Sequence, residues 1–489
     1  MWLDKERTVC LAERTNTDGW GVPSVALMSD LEHIRTWFDE HLPELLEQHR
    51  VPSAAWAVLK DGEVVEGAHG VLNLATGVTA TPESVYQIGS ITKLWTSTLV
   101  LQLVDEGLVD LDATVRTYLP EFAIADEAAA EAITVRQLLN HTAGFEGDIF
   151  TDTGVGDDCV EKYVATLGGT PQLFAPGEQF SYNNAGYCVL GRLVEVVRDT
   201  TYDQALREHL IGPLGLRHAA PSVHEAIMHR AAMGHLESGE EGTLEPAPFW
   251  SMARSNSPAG STLTMSARDL VAFARMHLED GVAPDGTRVL AAGTAERMQA
   301  HEVDLPELGL MGSSWGLGFE RFDTPDGPIV GHDGSTVGQG AFLRMVPAEG
   351  VAIALLTNGG DMISLYHAIV GQVLDSVTDV HLPGLPQPPA EPERIDARRF
   401  VGTYSADVFD LTVSQDDDGR IWIEQVPKGL FIEMGGQVER SELVAYRDDM
   451  LIPVEPDRGM YMPHAFLGDD GEGNALYLHL GRAVRRAGA

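Results

Sequence analysis

Between His381 and Ala397 the chain reads HLPGLPQPPAEPERIDA, five prolines in seventeen residues. Neither a helix interior nor a central strand tolerates such a run, because each proline removes a backbone donor and fixes φ. The stretch reads as a stiff, extended linker, and the 489-residue chain divides there. The part before it is long enough for a large domain with its own core, and the part after it for a small one. The organisation expected is an N-terminal extension at 1–28, a large domain at 29–380, the linker at 381–397 and a small domain at 398–489.

The large domain mixes two periodicities. A helix is expected after Met28, capped by Ser29 or Asp30, with Leu31, Ile34 and Phe38 at helical spacing. Val51–Gly70 reads as a hairpin turning at Lys60-Asp61-Gly62. Beyond Gly89 the period turns helical, with Ile91, Leu94, Thr98, Leu101 and Val104 expected on one face and a stop near Gly107. A helical middle follows from about Asp126 to Met276. Strands are expected at Trp315–Arg321, Ile329–Gly331, Gln339–Val346 and Gly350–Asn358. That order predicts an α+β fold, an antiparallel sheet flanked by helices. After residue 398, short alternating apolar runs such as DLTVSQDDDGRIWIE, broken by Asp and Gly, predict a small all-β barrel.

A formal charge of −40 repels phosphate backbones and anionic lipid heads, so no nucleic-acid or membrane-surface partner is expected. The three cysteines (Cys10, Cys159, Cys188) are widely spaced and contain no CxxC, which suits a reducing compartment rather than a disulfide framework or a zinc knuckle. No apolar stretch reaches the ~20 residues of a membrane span. The first 27 residues lack the basic start and apolar run of a signal peptide. A cytoplasmic enzyme is the expectation.

Of the five lysines only Lys93 has a serine three residues before it, in Ser90-Ile91-Thr92-Lys93. On a helix this spacing puts both side chains on one face, so the amine can activate the hydroxyl. Gly89 places Ser90 at the helix start, where backbone N–H groups favour developing negative charge. Tyr182-Asn183-Asn184 is the only Tyr-x-Asn among eleven tyrosines. A phenol beside a lysine can shuttle the serine proton, and the Asn184 amide can hold a substrate carbonyl. His332-Asp333-Gly334 opens a Gly-rich strand segment where a substrate backbone can approach. A second His-x-Gly, His479-Leu480-Gly481, lies in the small module and reads as a strand histidine facing solvent.

These elements, in this order, resemble the serine β-lactamase and penicillin-binding-protein family. Leu138-Leu139-Asn140-His141-Thr142-Ala143-Gly144, Pro258-Ala259-Gly260-Ser261 and Trp315-Gly316-Leu317-Gly318 extend the likeness over roughly residues 30–380. The resemblance implies that Ser90 is acylated, that Lys93 and Tyr182 act as general base and acid, and that the N–H groups of Ser90 and Ser335 form the oxyanion hole. It leaves open whether Lys93 or a Tyr182 phenolate takes the first proton. The family's Lys-Thr-Gly is replaced by His332-Asp333-Gly334, so a permanent cation gives way to a largely neutral group and poor β-lactamase activity is expected. The His-x-Gly form is similar to the branch of D-aminopeptidases, D-amino-acid amidases, carboxylesterases and stand-alone peptide cyclases of the penicillin-binding-protein-type thioesterase group. Several of these carry a C-terminal lipocalin-like domain.

Other chemistries fit less well. No Gly-x-Ser-x-Gly supports an α/β-hydrolase, and His224 and His229 are five apart, where a shared zinc needs four. No metal or organic cofactor is implied. The expected substrate is a small peptide or ester ending in a D-residue, free or carrier-bound. Release with macrocyclisation of a nonribosomal peptide is placed first. A D-stereospecific peptidase, amidase or carboxylesterase follows, then a catalytically silent binding protein of the same fold. Near the C-terminus, Arg482 is expected to pair with a substrate carboxylate, whereas Arg485 and Arg486 read equally well as a solvated tail.

Overall fold

Ser29 opens the first helix, α1 (Asp30–Gln48), through a capping box in which its hydroxyl accepts the Glu32 N–H and the Glu32 carboxylate accepts the Ser29 N–H. The computed structural model describes residues 29–488 except 239–241, 310, 430–431, 433–435 and 458–459. The expected extension at 1–28, with Cys10, lies outside the described residues. Ser29→Ala is expected to cost about 1 kcal/mol in a urea titration; an unchanged midpoint would mean that the box contributes nothing to the fold. Ile34, Phe38, Leu42 and Leu46 form the buried stripe of α1, and Phe38 stacks on Trp56 with ring centres 3.7 Å apart.

The hairpin pairs β1 (Ser53–Lys60) with β2 (Glu63–Asn73). Its two-residue turn has positive φ at both Asp61 and Gly62, the form that matches strand twist. With β3 (Val78–Thr79), β4 (Val303–Asp304), β5 (Ser314–Trp315), β6 (Glu320–Thr324), β7 (Gly327–Ser335), β8 (Gly340–Val346) and β9 (Val351–Thr357), these strands make a nine-stranded sheet. The order is β3-β2-β1-β9-β8-β7-β6-β5-β4, and each pairing is antiparallel. The single strand expected at Trp315–Arg321 is broken. The Gly316 N–H turns back to the Phe319 carbonyl at 2.8 Å, so β5 and β6 are separate.

The central strands are buried on both faces, and their alternation sorts residues into two cores. Ala54, Trp56 and Val58 of β1 face α1 and the C-terminal helix of this region, whereas Ala55, Ala57 and Leu59 face the opposite side. On that opposite side lie helices α2 (Thr92–Asp105), α3 (Asn184–Arg198) and α4 (Ala267–Leu278); the C-terminal helix is α5 (Met362–Val377).

Helix α2 departs from the one-faced pattern expected for it, since every residue from Thr92 to Leu103 is buried. It runs between the sheet and the helical region, so each face has a neighbour. Its polar side chains are accommodated by bonds: the Thr96 hydroxyl donates to the Pro258 carbonyl at 2.7 Å, and Thr98 to Leu94 at 2.7 Å.

No helix or strand lies between Val377 and Gly402. Beyond, β10 (Gly402–Ser405), β11 (Phe409–Gln415), β12 (Ile421–Pro427), β13 (Glu439–Arg447), β14 (Met450–Pro453), β15 (His464–Leu467), β16 (Tyr477–His479) and β17 (Ala483–Arg486) form a closed antiparallel barrel. This is the architecture of a lipocalin-like domain. Its centre is filled by Phe400, Tyr404, Leu411, Leu443, Leu451, Phe466 and Leu478. Arg485 and Arg486 belong to the last strand and not to a tail. Arg486 donates to the carbonyls of Ala475 and Val401 at 2.7 Å each, which ties the barrel shut. Among the described residues no helix is long and apolar enough to cross a membrane.

Candidate active site

Gly89, with φ +51, ends the approach to α2, and the next residue, Ser90, sits in the short turn that opens the helix. A Cβ on Gly89 would lie 2.6 Å from the Ser335 nitrogen, and one on Gly334 would lie 1.9 Å from the Ile88 carbonyl oxygen and 3.1 Å from the Ser90 nitrogen. Only glycine at both positions lets β7 press against the serine turn. Ser90 and Ser335 therefore hold their backbones side by side. Ser90 is partly exposed and Ser335 is exposed, so a substrate can reach both.

One turn on, Lys93 is wholly buried, and its Nζ lies 3.1 Å from Ser90 Oγ, 2.7 Å from Asn184 Oδ1 and 2.7 Å from the Ala259 carbonyl oxygen. Burial is the main cause that lowers the Lys93 pKa to about 7. The three oxygens serve both forms. The ammonium donates to all of them, and the neutral amine donates to the Asn184 and Ala259 oxygens and turns its lone pair to the Ser90 hydroxyl. The Pro258-Ala259-Gly260-Ser261 run thus contributes a carbonyl to the lysine.

Tyr182 is 5 % exposed, and its ring lies 4.7 Å from Lys93 Nζ. Burial drives its phenol well above 10, tempered by a hydrogen bond with Ser90 and by the Arg482 charge. His141, from the Asn-His-Thr-Ala-Gly run, sets the backbone of this segment. Its carbonyl accepts the Ser181 N–H and its Nδ1 accepts the Asn183 N–H, both at 2.9 Å. Its ring lies 4.4 Å from that of Tyr182. Trp315, wholly buried, packs edge-on against Tyr182, His332 and His141.

His332 on β7 is 1 % exposed. Its Nδ1 lies 2.5 Å from the Asp333 carbonyl oxygen, so that nitrogen carries the proton and Nε2 presents a lone pair. Burial, then the Lys93 charge, hold the ring neutral well below its usual range. Behind it, Arg344 clamps Asp333 with 2.7 and 2.9 Å contacts, and a second carboxyl, Glu320, lies 3.6 Å from both His332 Nδ1 and Arg344 Nη1. Burial raises the Glu320 pKa, and the Asp333 charge adds to the rise.

The barrel reaches the same place. The loop between β16 and β17 brings the Arg482 guanidinium 4.9 Å from the Tyr182 ring. Arg482 is ion-paired with Asp148, which also accepts the Asn184 amide N–H at 2.7 Å. Lys93, Asn184, Asp148 and Arg482 thus form one chain of contacts from the serine to the barrel.

All eight residues singled out from sequence (Ser90, Lys93, Tyr182, Asn184, His332, Gly334, Ser335 and Arg482) come together in one linked set of contacts around Ser90 and Lys93. Asp148, Glu320 and Arg344 join them without having been expected. The only signal available was an acid two residues after the Trp-Gly-Leu-Gly run and an acid four after His-Thr-Ala-Gly. His479, expected to face solvent, is wholly buried, because the large domain covers that face of the barrel. Glu225, between His224 and His229, is held by Arg207 and Ser222 and offers no free ligand.

An antiparallel sheet, a buried helix carrying serine and lysine one turn apart, and a phenol beside both form the arrangement that serine acyl transfer needs, on the beta-lactamase fold. The beta-lactamase family model matches residues 38–368, and the chain belongs to that family of serine hydrolases. Penicillin-binding protein 4 of Amycolatopsis lactamdurans is 45% identical over 370 residues, covering 75% of this chain and 96% of its own length. The crystal structure of SurE matches with a TM-score of 0.75 at 30% identity over 94% of this chain and 99% of that one, a span that takes in the barrel. D-amino acid amidase from Ochrobactrum anthropi SV3 shares the fold, with a TM-score of 0.59 at 23% identity over 71% of this chain and 99% of its own.

Proposed function

We propose that the protein transfers the acyl group of a peptide ending in a D-residue from an activated ester or thioester to Ser90, and then to the peptide's own amine, releasing a macrocycle. The observation that carries the acyl-transfer step is the buried Lys93 amine, with two carbonyl oxygens for its N–H bonds and Ser90 Oγ at 3.1 Å. Lys93 takes the Ser90 proton as Oγ attacks the acyl carbon, since a lysine held near pH 7 is a base and a phenol held above 10 is not. The N–H groups of Ser90 and Ser335 receive the developing oxyanion. Tyr182 passes the proton to the departing sulfur or oxygen. In the second half, the amine attacks the acyl-serine, loses its proton through the same pair, and Ser90 regains its hydrogen.

A D-residue at the acyl position is supported by two relatives: SurE has been solved with D-Leu, and the amidase of shared fold is named for D-amino acids. Amine over water is supported by the barrel, whose loop closes against Tyr182 with Arg482 at the rim. Arg482 keeps a partly exposed guanidinium although one edge pairs with Asp148, which leaves an edge for a substrate carboxylate. Arg482→Ala is expected to raise KM about tenfold for a carboxylate-bearing substrate and leave KM for its amide unchanged. Equal kinetics on both would remove Arg482 from recognition.

The deciding experiment gives a short peptidyl thioester with a C-terminal D-residue and a free amine to wild type and Ser90→Ala. A cyclic product, lighter than the linear acid by one water and absent with Ser90→Ala, establishes the cyclase. Linear acid alone, again dependent on Ser90, makes the protein a D-selective hydrolase. No acyl-enzyme from this or simpler reactive esters leaves a binding protein of the same fold.

A further inference from the structure

The barrel touches Tyr182 through its backbone as well as through Arg482. The Tyr182 N–H donates to the Gly481 carbonyl at 3.0 Å, so one residue of the barrel loop fixes the height at which the phenol stands. Gly481 is itself held. Its N–H lies 3.2 Å from His479 Nδ1, and His479 Nε2 lies 2.9 Å from the Phe180 carbonyl oxygen.

These two contacts define the tautomer. A backbone N–H can only donate and a carbonyl can only accept, so Nδ1 carries the lone pair and Nε2 the proton. Burial lowers the His479 pKa to about 4, and the same tautomer persists at neutral pH. A ring in this state is a two-ended brace between the barrel loop and the segment that carries Tyr182.

We infer that His479 is a positioning residue for acyl transfer: by bridging Gly481 N–H and Phe180 C=O it holds the backbone leading into Tyr182 at two points, through the residue two before and through the carbonyl that accepts the Tyr182 N–H. The inference rests on the reading that Tyr182 moves the proton. Two neighbouring bonds, from the Ala483 N–H to Ser181 Oγ at 3.1 Å and from the Tyr477 hydroxyl to the Leu173 carbonyl at 2.9 Å, dock the domains without touching Tyr182 or its flanking carbonyls. Loss of His479 therefore removes the barrel-side brace on Tyr182, while His141 still holds the N–H groups of Ser181 and Asn183 and the domains stay joined. A shift of even 1 Å in a reacting group costs about a hundredfold in rate at the extreme.

The test measures acylation of Ser90 in the full chain by a neutral p-nitrophenyl ester, which needs no carboxylate recognition. His479→Ala is expected to lower the saturating rate about tenfold or more while KM changes less than about twofold. His479→Gln, which keeps the donor to Phe180, and His479→Asn, which keeps the acceptor for Gly481, are each expected to recover part of the loss. Leu411→Ala, in the barrel core, controls for general loosening and is expected to keep the wild-type rate. Tyr182→Phe is the reference. If it is slow while all three His479 variants match wild type, His479 only glues the domains and the inference is overturned. It is overturned equally if Leu411→Ala is as slow as His479→Ala. If Tyr182→Phe is itself as fast as wild type, the reading of Tyr182 fails first, and the inference falls with it. Should His479→Ala not fold, the Gln and Asn variants decide alone.

Discussion

Lys93→Gln is expected to slow acylation of Ser90 by about a thousandfold, the usual share of a well-placed general base. The substitution keeps a polar side chain in the pocket but supplies no basic lone pair. With its pKa lowered by burial to about 7, Lys93 in wild type is mostly ammonium below that pH and mostly amine above it. The wild-type acylation rate should therefore climb as pH rises through 7 and then level. In Lys93→Gln the climb should vanish along with the rate. A variant that is slow but still climbs near pH 7 would assign that ionisation to another group. His332, held neutral well below its usual range, could not supply it.

The second large effect is expected from a single methyl group. Gly334→Ala places a Cβ 1.9 Å from the Ile88 carbonyl oxygen in the undisturbed backbone, so β7 must withdraw from the serine turn. Both sides of the oxyanion site move when it does. Acylation is expected to fall about a hundredfold, with a melting temperature reduced by only a few degrees because the remainder of the sheet still pairs. Saturating rate and melting curve measured on the same preparation check this. A full rate in a stable variant would mean that β7 and Ser90 are not jointly required.

The candidate cluster could be read from sequence because much of its geometry is local. Ser90 and Lys93 share one helical turn, Tyr182 and Asn184 share one segment, and the glycine at 334 marks a close approach wherever it is found. Contacts that join distant segments left no such trace. Asp148 meets Asn184 across 36 residues, and His479 meets Phe180 across 299. The solvent-facing expectation for His479 fails for a definite physical reason: strand alternation tells which residues leave the barrel, but not that another domain covers that side. The same limit explains α2. Its apolar spacing suggested one buried face, whereas its Thr and Ser residues are buried too: Thr98 bonds back to Leu94 within the helix, but Thr96 reaches the Pro258 carbonyl and Ser97 the Tyr187 hydroxyl, partners that only the folded arrangement brings near.

The nine-stranded sheet, with its two separate cores, also bears on how such an enzyme can be altered. Ser90, Lys93 and Tyr182 all belong to the side with α2 and α3, while Ile34, Phe38, Trp56, Ile353 and Ile369 pack on the other. Substitutions at Ile34 or Phe38 leave the partners of the reacting groups untouched, and effects at such separated sites add independently; Phe322 and Tyr366 of the same layer are the exception, because they hold Arg344, which clamps Asp333 beside His332. An engineer seeking a hardier catalyst can therefore redesign the outer layer first, by filling gaps and improving helix ends, and leave turnover as a variable to be adjusted from the opposite side.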